Sequence, residues 1–188
     1  MIKNLNSPTQ ATVRVGSATA TEIYLSVGVA LSFWESSEDI LEKLFETLCQ
    51  NGERVGFESF CAVSRQSREK MLLSALGHYA GQILSEESDS VIQALKELTK
   101  LAPFRNQIAH GFVSKMKTTV GGKVVMDGNF IVSTQDPSGK SQPRGLNVKY
   151  AHTAFEIDEW RDKVRVHRGT IMDVWMAITI RRQGKSDG

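Results

Sequence analysis

An arginine, an asparagine and a histidine come together in the stretch PFRNQIAHG, residues 103–111, at positions Arg105, Asn106 and His110. These residue types can bind a phosphodiester and move the protons of its cleavage. The proline that opens the stretch and the glycine that closes it predict a short helix between them. On that helix Asn106 and His110 share one face, and the long Arg105 side chain must lean across to reach the same anion.

The same three residues also have structural uses, and an isolated triplet of this kind favours them. A histidine just before a helix-ending glycine interacts with the negative end of the helix dipole, and an asparagine can cap a helix locally. An arginine can pair with a carboxylate of a neighbouring helix. The triplet by itself therefore does not identify an enzyme.

The run RNQIAHG resembles the signature of HEPN domains (higher eukaryotes and prokaryotes nucleotide-binding), in which R-N-x-x-x-H lies near the end of a helical bundle. Many HEPN proteins are metal-independent endoribonucleases that act as dimers, with both motifs in one composite cleft. The resemblance implies that His110 is the general base or acid for attack of a 2′-hydroxyl on the adjacent phosphate. It further implies that Arg105 holds the phosphate, that Asn106 orients the phosphate or the histidine, and that the product carries a cyclic phosphate.

The resemblance leaves other roles open. Some HEPN toxins carry a tyrosine two residues after the histidine, which a partner nucleotidyltransferase modifies, but this chain has Phe112 there and no hydroxyl to modify. We expect a toxin or phage-defence ribonuclease, with an antitoxin or another regulatory partner. The alternatives are a HEPN module that binds RNA or nucleotide without catalysis, and an assembly protein whose motif is buried at a dimer contact. RNA binding that weakens with salt separates the assembly role from the other two.

Basic residues follow the motif. The segment 112–150 carries six Lys or Arg against two Asp, and 161–188 carries seven against three, although the whole chain has a net charge of only +2. Such clusters suit an RNA-binding groove as well as they suit a solvated surface. The RNA-binding candidates are Lys115, Lys117, Lys123, Arg144 and Lys149.

The 188 residues are expected to form a single domain with a flexible arm over 1–18 and a frayed tail over 183–188. The first ten residues lack the apolar core of a signal peptide, so we expect a cytoplasmic protein with Cys49 and Cys61 reduced. No apolar run suits a membrane span. No spacing of Cys or His is typical of a metal site, and we expect no metal and no cofactor.

Apolar residues recurring every three, four or seven positions predict the helices that hold the motif, over about 21–50, 64–84, 85–102 and 155–181. Glu38 falls on the apolar seam of the first helix. This favours a break at Ser36-Ser37 over an interior carboxylate that needs a partner. A less favoured alternative has Glu38 orienting Arg105 or His110.

Residues 112–150 are rich in Val, Ile, Phe and Thr, with hairpin-turn signals at Gly121-Gly122 and Asp127-Gly128. A Gly-Lys-Ser at 139–141 lacks the first glycine of a phosphate-binding loop, so we interpret it as a turn. The expected fold is an all-α, HEPN-like antiparallel bundle of four to five helices with a β-hairpin insertion over 112–150.

Overall fold

The computed structural model describes residues 13–49, 54–78, 83–120, 123–133 and 150–186. Its helices are α1 (Ala20–Leu48), α2 (Arg54–Ala62), α3 (Arg65–His78), α4 (Ser85–Ala109) and α5 (Ala154–Ser186). Its strands are β1 (Arg14–Val15), β2 (Gly111–Val120), β3 (Lys123–Ser133) and β4 (Ala151–His152). Helices dominate, as predicted, but the four strands form one sheet, so all-α is too narrow a class.

Helix α1 is a single unbroken helix, and the predicted break at Ser36-Ser37 is wrong. Its first turn is capped by Thr19, whose hydroxyl accepts from the backbone N–H of Glu22 at 3.2 Å. The fully buried Ser37 donates its own hydroxyl to the carbonyl of Trp34 at 2.6 Å. A serine that bonds to the preceding turn needs no partner elsewhere, so it does not end the helix.

Helices α1 and α5 run parallel, which corrects the expectation of a wholly antiparallel bundle. Trp34 stacks on Trp160 with ring centroids 5.7 Å apart, and further along both helices the Trp175 indole donates to the Thr47 hydroxyl. The sheet explains this direction. Strand β1 leads into α1 and β4 leads into α5, and both strands pair with β3, so the two helices start from the same side of the molecule.

Helix α4 continues through Pro103, so the predicted helix end at Ala102 and the separate motif helix are wrong. Proline has no N–H to donate to the preceding turn, which weakens the helix at this point. Tertiary contacts hold it there. The Trp160 indole donates to the carbonyl of Leu101 at 3.1 Å, and near the start of α4 Glu87 accepts two hydrogen bonds from Arg181.

Strand β3 is the centre of the sheet. It pairs antiparallel with β2 along its length, parallel with β1 at Met126, and antiparallel with β4 at Ile131. The hairpin prediction is confirmed for β2 and β3. The turn predicted at Asp127-Gly128 is wrong, because both residues lie inside β3. Gly128 has a φ of +127°, and a β-carbon added there would lie 2.8 Å from the α-carbon of Gly16.

The ends of the chain differ from expectation where they are described. Residues 13–18 belong to β1 and its extension, in which Ser17 pairs with Asn129, so they are not a flexible arm. Residues 183–186, expected in a frayed tail, continue α5. Residues 1–12, the loop 136–141 and residues 187–188 lie outside the described part of the chain.

Candidate functional site

A cleft of about 470 Å³ lies between α1, α3 and α4, and two of the three motif residues line it. Arg105 and Asn106 reach it from α4. Opposite them are acidic residues of α1 and both basic and acidic residues of α3, so three carboxylates and three guanidinium groups, that of Arg105 included, line the cleft. These are Glu35, Glu38, Glu69, Arg65, Arg68 and Arg105. The cleft is therefore close to electrically neutral, unlike a surface that binds RNA by charge alone.

Two of the three guanidinium nitrogens of Arg105 have a hydrogen-bond acceptor. Its Nη2 donates to Glu35 Oε1 at 3.1 Å and its Nη1 to Asn106 Oδ1 at 3.4 Å, whereas its buried Nε has no acceptor. The Arg105 side chain is 32% exposed and that of Glu35 is 64% exposed. An exposed ion pair of this kind is weak, so an incoming anion can compete with Glu35 for the guanidinium.

His110 lies one helical turn beyond Asn106, at the end of α4. It is the C-cap residue, with its backbone N–H donating to the Asn106 carbonyl at 3.2 Å, and its side chain is exposed. Side chains four apart on a helix have β-carbons about 5–6 Å apart. The structure thus places Arg105 and Asn106 on the lining of the cleft, whereas His110 is not among the residues that line it.

Glu38 does have a partner, but not among the motif residues. Its carboxylate lies 2.8 Å from Arg65 Nε and 3.7 Å from Arg68 Nη1, and Arg68 also pairs with Glu42 at 2.9 Å. The Glu38 side chain is only 13% exposed. Glu38 is therefore an interior carboxylate with partners, which is the alternative to a break in the first helix.

The carboxylate that pairs with Arg105 is Glu35, which is not among the site residues predicted from the sequence. Glu35 and Glu38 are three positions apart on α1 and so lie on neighbouring parts of its surface. One signal could have pointed to Glu35. It is the first charged residue after an uncharged run over 23–34.

A column of rings fixes the helix turn that carries Arg105. The Arg65 guanidinium lies 4.9 Å from the centre of the Trp34 ring at the cleft floor, and Trp34 stacks on Trp160. Trp160 stacks on Phe104 at 5.5 Å, and Phe104 lies 4.4 Å from the His152 ring. Such aromatic contacts stabilise beyond their buried area, so Phe104 anchors α4 immediately next to Arg105.

The residue after Asn106 is a second anchor. Gln107 is buried, and its Oε1 lies 2.7 Å from His152 Nε2. His152 Nδ1 is 4.0 Å from a Glu156 carboxylate, which also binds Arg14. Burial lowers the pKa of His152 to about 4. This contact joins the motif to β4, and no local pattern of the sequence pointed to His152.

Two of the five proposed RNA-binding residues are exposed on β2. Lys115 and Lys117 alternate with the buried Met116, as expected for a strand with one face on a core. Neither lysine lines the cleft. Lys123 begins β3, although its side chain is not described, and Arg144 and Lys149 lie outside the described residues.

Within the described residues, no three His, Cys, Asp or Glu side chains come together as the ligands of a metal would. Neither Cys49 nor Cys61 forms a disulfide within the described residues. The helices of the described segments include none with the length and apolar character needed to cross a membrane.

Comparison with known proteins adds no family. No protein-family model, curated protein or solved structure matches the chain. The resemblance to HEPN domains therefore rests on the motif.

Proposed function

We propose that the protein is a metal-independent endoribonuclease of the HEPN type that works as a homodimer. The observation that carries the proposal is the position of Arg105 and Asn106, side by side in a cleft large enough for a nucleotide, with the Arg105 guanidinium paired to the largely exposed Glu35. An arginine fork with unused donors suits a phosphate. His110, one turn away and exposed, supplies the group that moves protons.

The proposed reaction begins when a substrate phosphate replaces Glu35 on Arg105. His110 accepts the proton of the ribose 2′-hydroxyl, and the 2′-oxygen attacks the adjacent phosphorus. The bond from phosphorus to the 5′-oxygen breaks, and that oxygen takes up a proton. Arg105 and the Asn106 amide stabilise the negative charge that develops on the phosphoryl oxygens. The products are a 2′,3′-cyclic phosphate and a 5′-hydroxyl end.

In a homodimer each composite cleft contains the motif of both copies, so a second His110 can protonate the leaving oxygen. The basic residues after the motif, Lys115 and Lys117 among them, provide sequence-independent contacts to the RNA backbone. Ribonucleases of this kind serve as toxins or in phage defence, and an antitoxin or another regulatory partner belongs to that role.

A second candidate is an RNA-binding module without catalysis. It is favoured by the position of His110 outside the residues that line the cleft. In that role Arg105 and the basic residues bind RNA, and replacing His110 has no effect on affinity.

End-group analysis of RNA products separates the two candidates. A mixed RNA panel is incubated with the protein in excess EDTA, beside Arg105→Ala and the exposed control Lys163→Ala. We expect cyclic phosphate ends with the native protein and the control, and none with Arg105→Ala. A substrate with 2′-deoxyribose at the cleaved position should resist. Products with linear 3′-phosphate from the outset, or equal cleavage by Arg105→Ala, would contradict the proposal.

A further inference from the structure

One face of α1 is apolar and turned away from the core. Residues 23–34 carry no charge at all, although the helix lies at the surface. Ile23, Ala30 and Trp34 are buried, whereas Tyr24 is 61% and Leu25 is 68% exposed. The outer face of a surface helix is normally charged or polar, and a helix that is apolar on both sides is normally covered on both.

This face forms the wall of a groove of about 530 Å³ at the edge of α5. Tyr24, Leu25, Val29 and Phe33 supply most of its apolar surface. Gly28 lies between them, and a β-carbon added there would meet nothing within 4 Å. The centre of the groove is therefore open to another chain. An exposed apolar patch of this kind typically marks a site of protein interaction.

Opposite charges flank the groove: Arg168 lines one end, and Glu22 precedes the lining residue Tyr24 by two positions on α1. Glu22 lies at the start of α1, and Arg168 of α5 donates from Nε to the Ser36 hydroxyl at 2.9 Å. In the described part of the chain neither Glu22 nor Arg168 pairs with an opposite charge. Ser36 lies fourteen positions after Glu22 on the helix, a length of about 21 Å at 1.5 Å per residue. The midpoint of that length is Val29.

We propose that the occupant of this groove is a second copy of the chain, docked through α1 against α1. A two-fold axis near Val29 makes the two α1 helices antiparallel and packs the uncharged face of one against the uncharged face of the other. The same axis brings Glu22 of one copy to the partner's Arg168, and this contact occurs twice. Self-complementarity of charge and shape is the condition for a symmetric dimer interface. An apolar centre with charges at its rim is typical of such interfaces.

This interface is where we expect the homodimer of the proposed function to form. Only the link between the interface and catalysis rests on the proposed function. Glu35, which pairs with Arg105 in the cleft, immediately precedes Ser36 at the end of the groove. Docking at α1 thus takes place beside the cleft wall. Loss of the dimer is expected to lower RNA cleavage without any change at Arg105.

Sedimentation equilibrium over a hundredfold range of concentration tests the interface. We expect the native chain to dimerise and Leu25→Glu to remain monomeric, because a charge would be buried in the apolar centre. Glu22→Arg and Arg168→Glu each place like charges together twice per dimer, and each should weaken association at least tenfold, as a rough estimate. The double variant restores opposite charges and should recover most of that loss.

Matched controls lie on another side of α5. Lys163→Glu and Glu159→Arg change the charge by the same amounts as the test variants, and Lys163 is about 140° from Arg168 around the helix. Neither control should change association. Far-ultraviolet circular dichroism and thermal unfolding establish that each variant is folded, and all the substituted side chains named here are exposed or half-buried.

The outcomes are distinguishable from those of the ribonuclease test. A monomeric native chain would overturn the interface, as would a dimer that ignores Leu25→Glu or a double charge swap that fails to recover association. A dimer with these properties that cleaves no RNA would keep the interface and refute the ribonuclease. Cleavage by the folded monomeric Leu25→Glu variant at the native rate would refute the link between them.

Discussion

The buried His152 makes the stability of the fold depend on pH. Its pKa falls from an ordinary 6.5 to about 4 because burial disfavours the charged ring. Between these two values the unfolded chain takes up a proton that the folded chain does not. The free energy of unfolding must therefore decrease as the pH is lowered from 7 towards 4.

The size of the effect follows from the two pKa values. One unit is worth about 1.4 kcal/mol, so full protonation of the unfolded state costs about 3 kcal/mol of stability below pH 4. At pH 5 the folded ring is still mostly neutral and the unfolded one mostly charged, which gives a loss of about 2 kcal/mol relative to pH 7.5. Most carboxylates titrate below this range, and comparison with a variant that lacks this ring separates His152 from the three other histidines.

Urea unfolding of native protein and His152→Phe at pH 7.5, 6.5, 5.5 and 5.0 measures this contribution. The variant removes the titrating ring, and Gln107 loses the partner that lies 2.7 Å away. We therefore expect the variant to be about 1–3 kcal/mol less stable than the native protein at pH 7.5. That loss is independent of pH. We expect the difference in stability between the two proteins to shrink by about 2 kcal/mol at pH 5. An unchanged difference across the range would refute the reasoning.

Two further substitutions probe the site and the sheet. Glu35→Gln removes the carboxylate that competes with phosphate for Arg105 and should tighten RNA binding by about two- to fivefold in fluorescence anisotropy at fixed salt; Glu159→Gln changes the charge equally and should have a smaller effect. Gly16→Ala would place a β-carbon 2.7 Å from the backbone of Asn129 and should lower the free energy of unfolding by about 1–3 kcal/mol in urea. Weaker RNA binding by the first variant, or native stability of the second, would contradict these expectations.

The parts of the fold that the sequence predicts well are those set by local pattern. The last helix shows an apolar residue at every third or fourth position, and the helix that starts at Ser85 has polar and acidic residues in its first turn. The β2–β3 hairpin follows from alternating apolar residues around two glycines. In each case the decisive neighbours lie within a few positions of one another.

The errors come from contacts between distant segments. Glu38 does not break α1, because Arg65 and Arg68, more than twenty positions later, provide its counter-charges. Pro103 does not end α4, because the bundle packs on both sides of it, as the Trp160 indole shows at Leu101. Periodicity along one helix contains no information on either partner.

The candidate site likewise has residues that the local sequence predicts and residues that it does not. The motif residues Arg105 and Asn106 were identifiable from residue type and spacing, and they do meet in one cleft. Glu35 and His152 were not, since each contacts the motif from an element far away in sequence. Helix α2 was also not predicted, because Gly56 near its start disfavours a helix.

Under the proposed function, His110 moves protons in metal-independent RNA cleavage. The most direct measurement is the rate at which purified native protein and His110→Ala cleave an RNA panel in excess EDTA, with folding and dimerisation of both verified and His78→Ala as the matched histidine control. We expect the native protein and the control to cleave, and His110→Ala to lose at least a hundredfold in rate, the usual minimum for removing a general acid or base. Equal rates for native protein and a folded, dimeric His110→Ala would contradict the account.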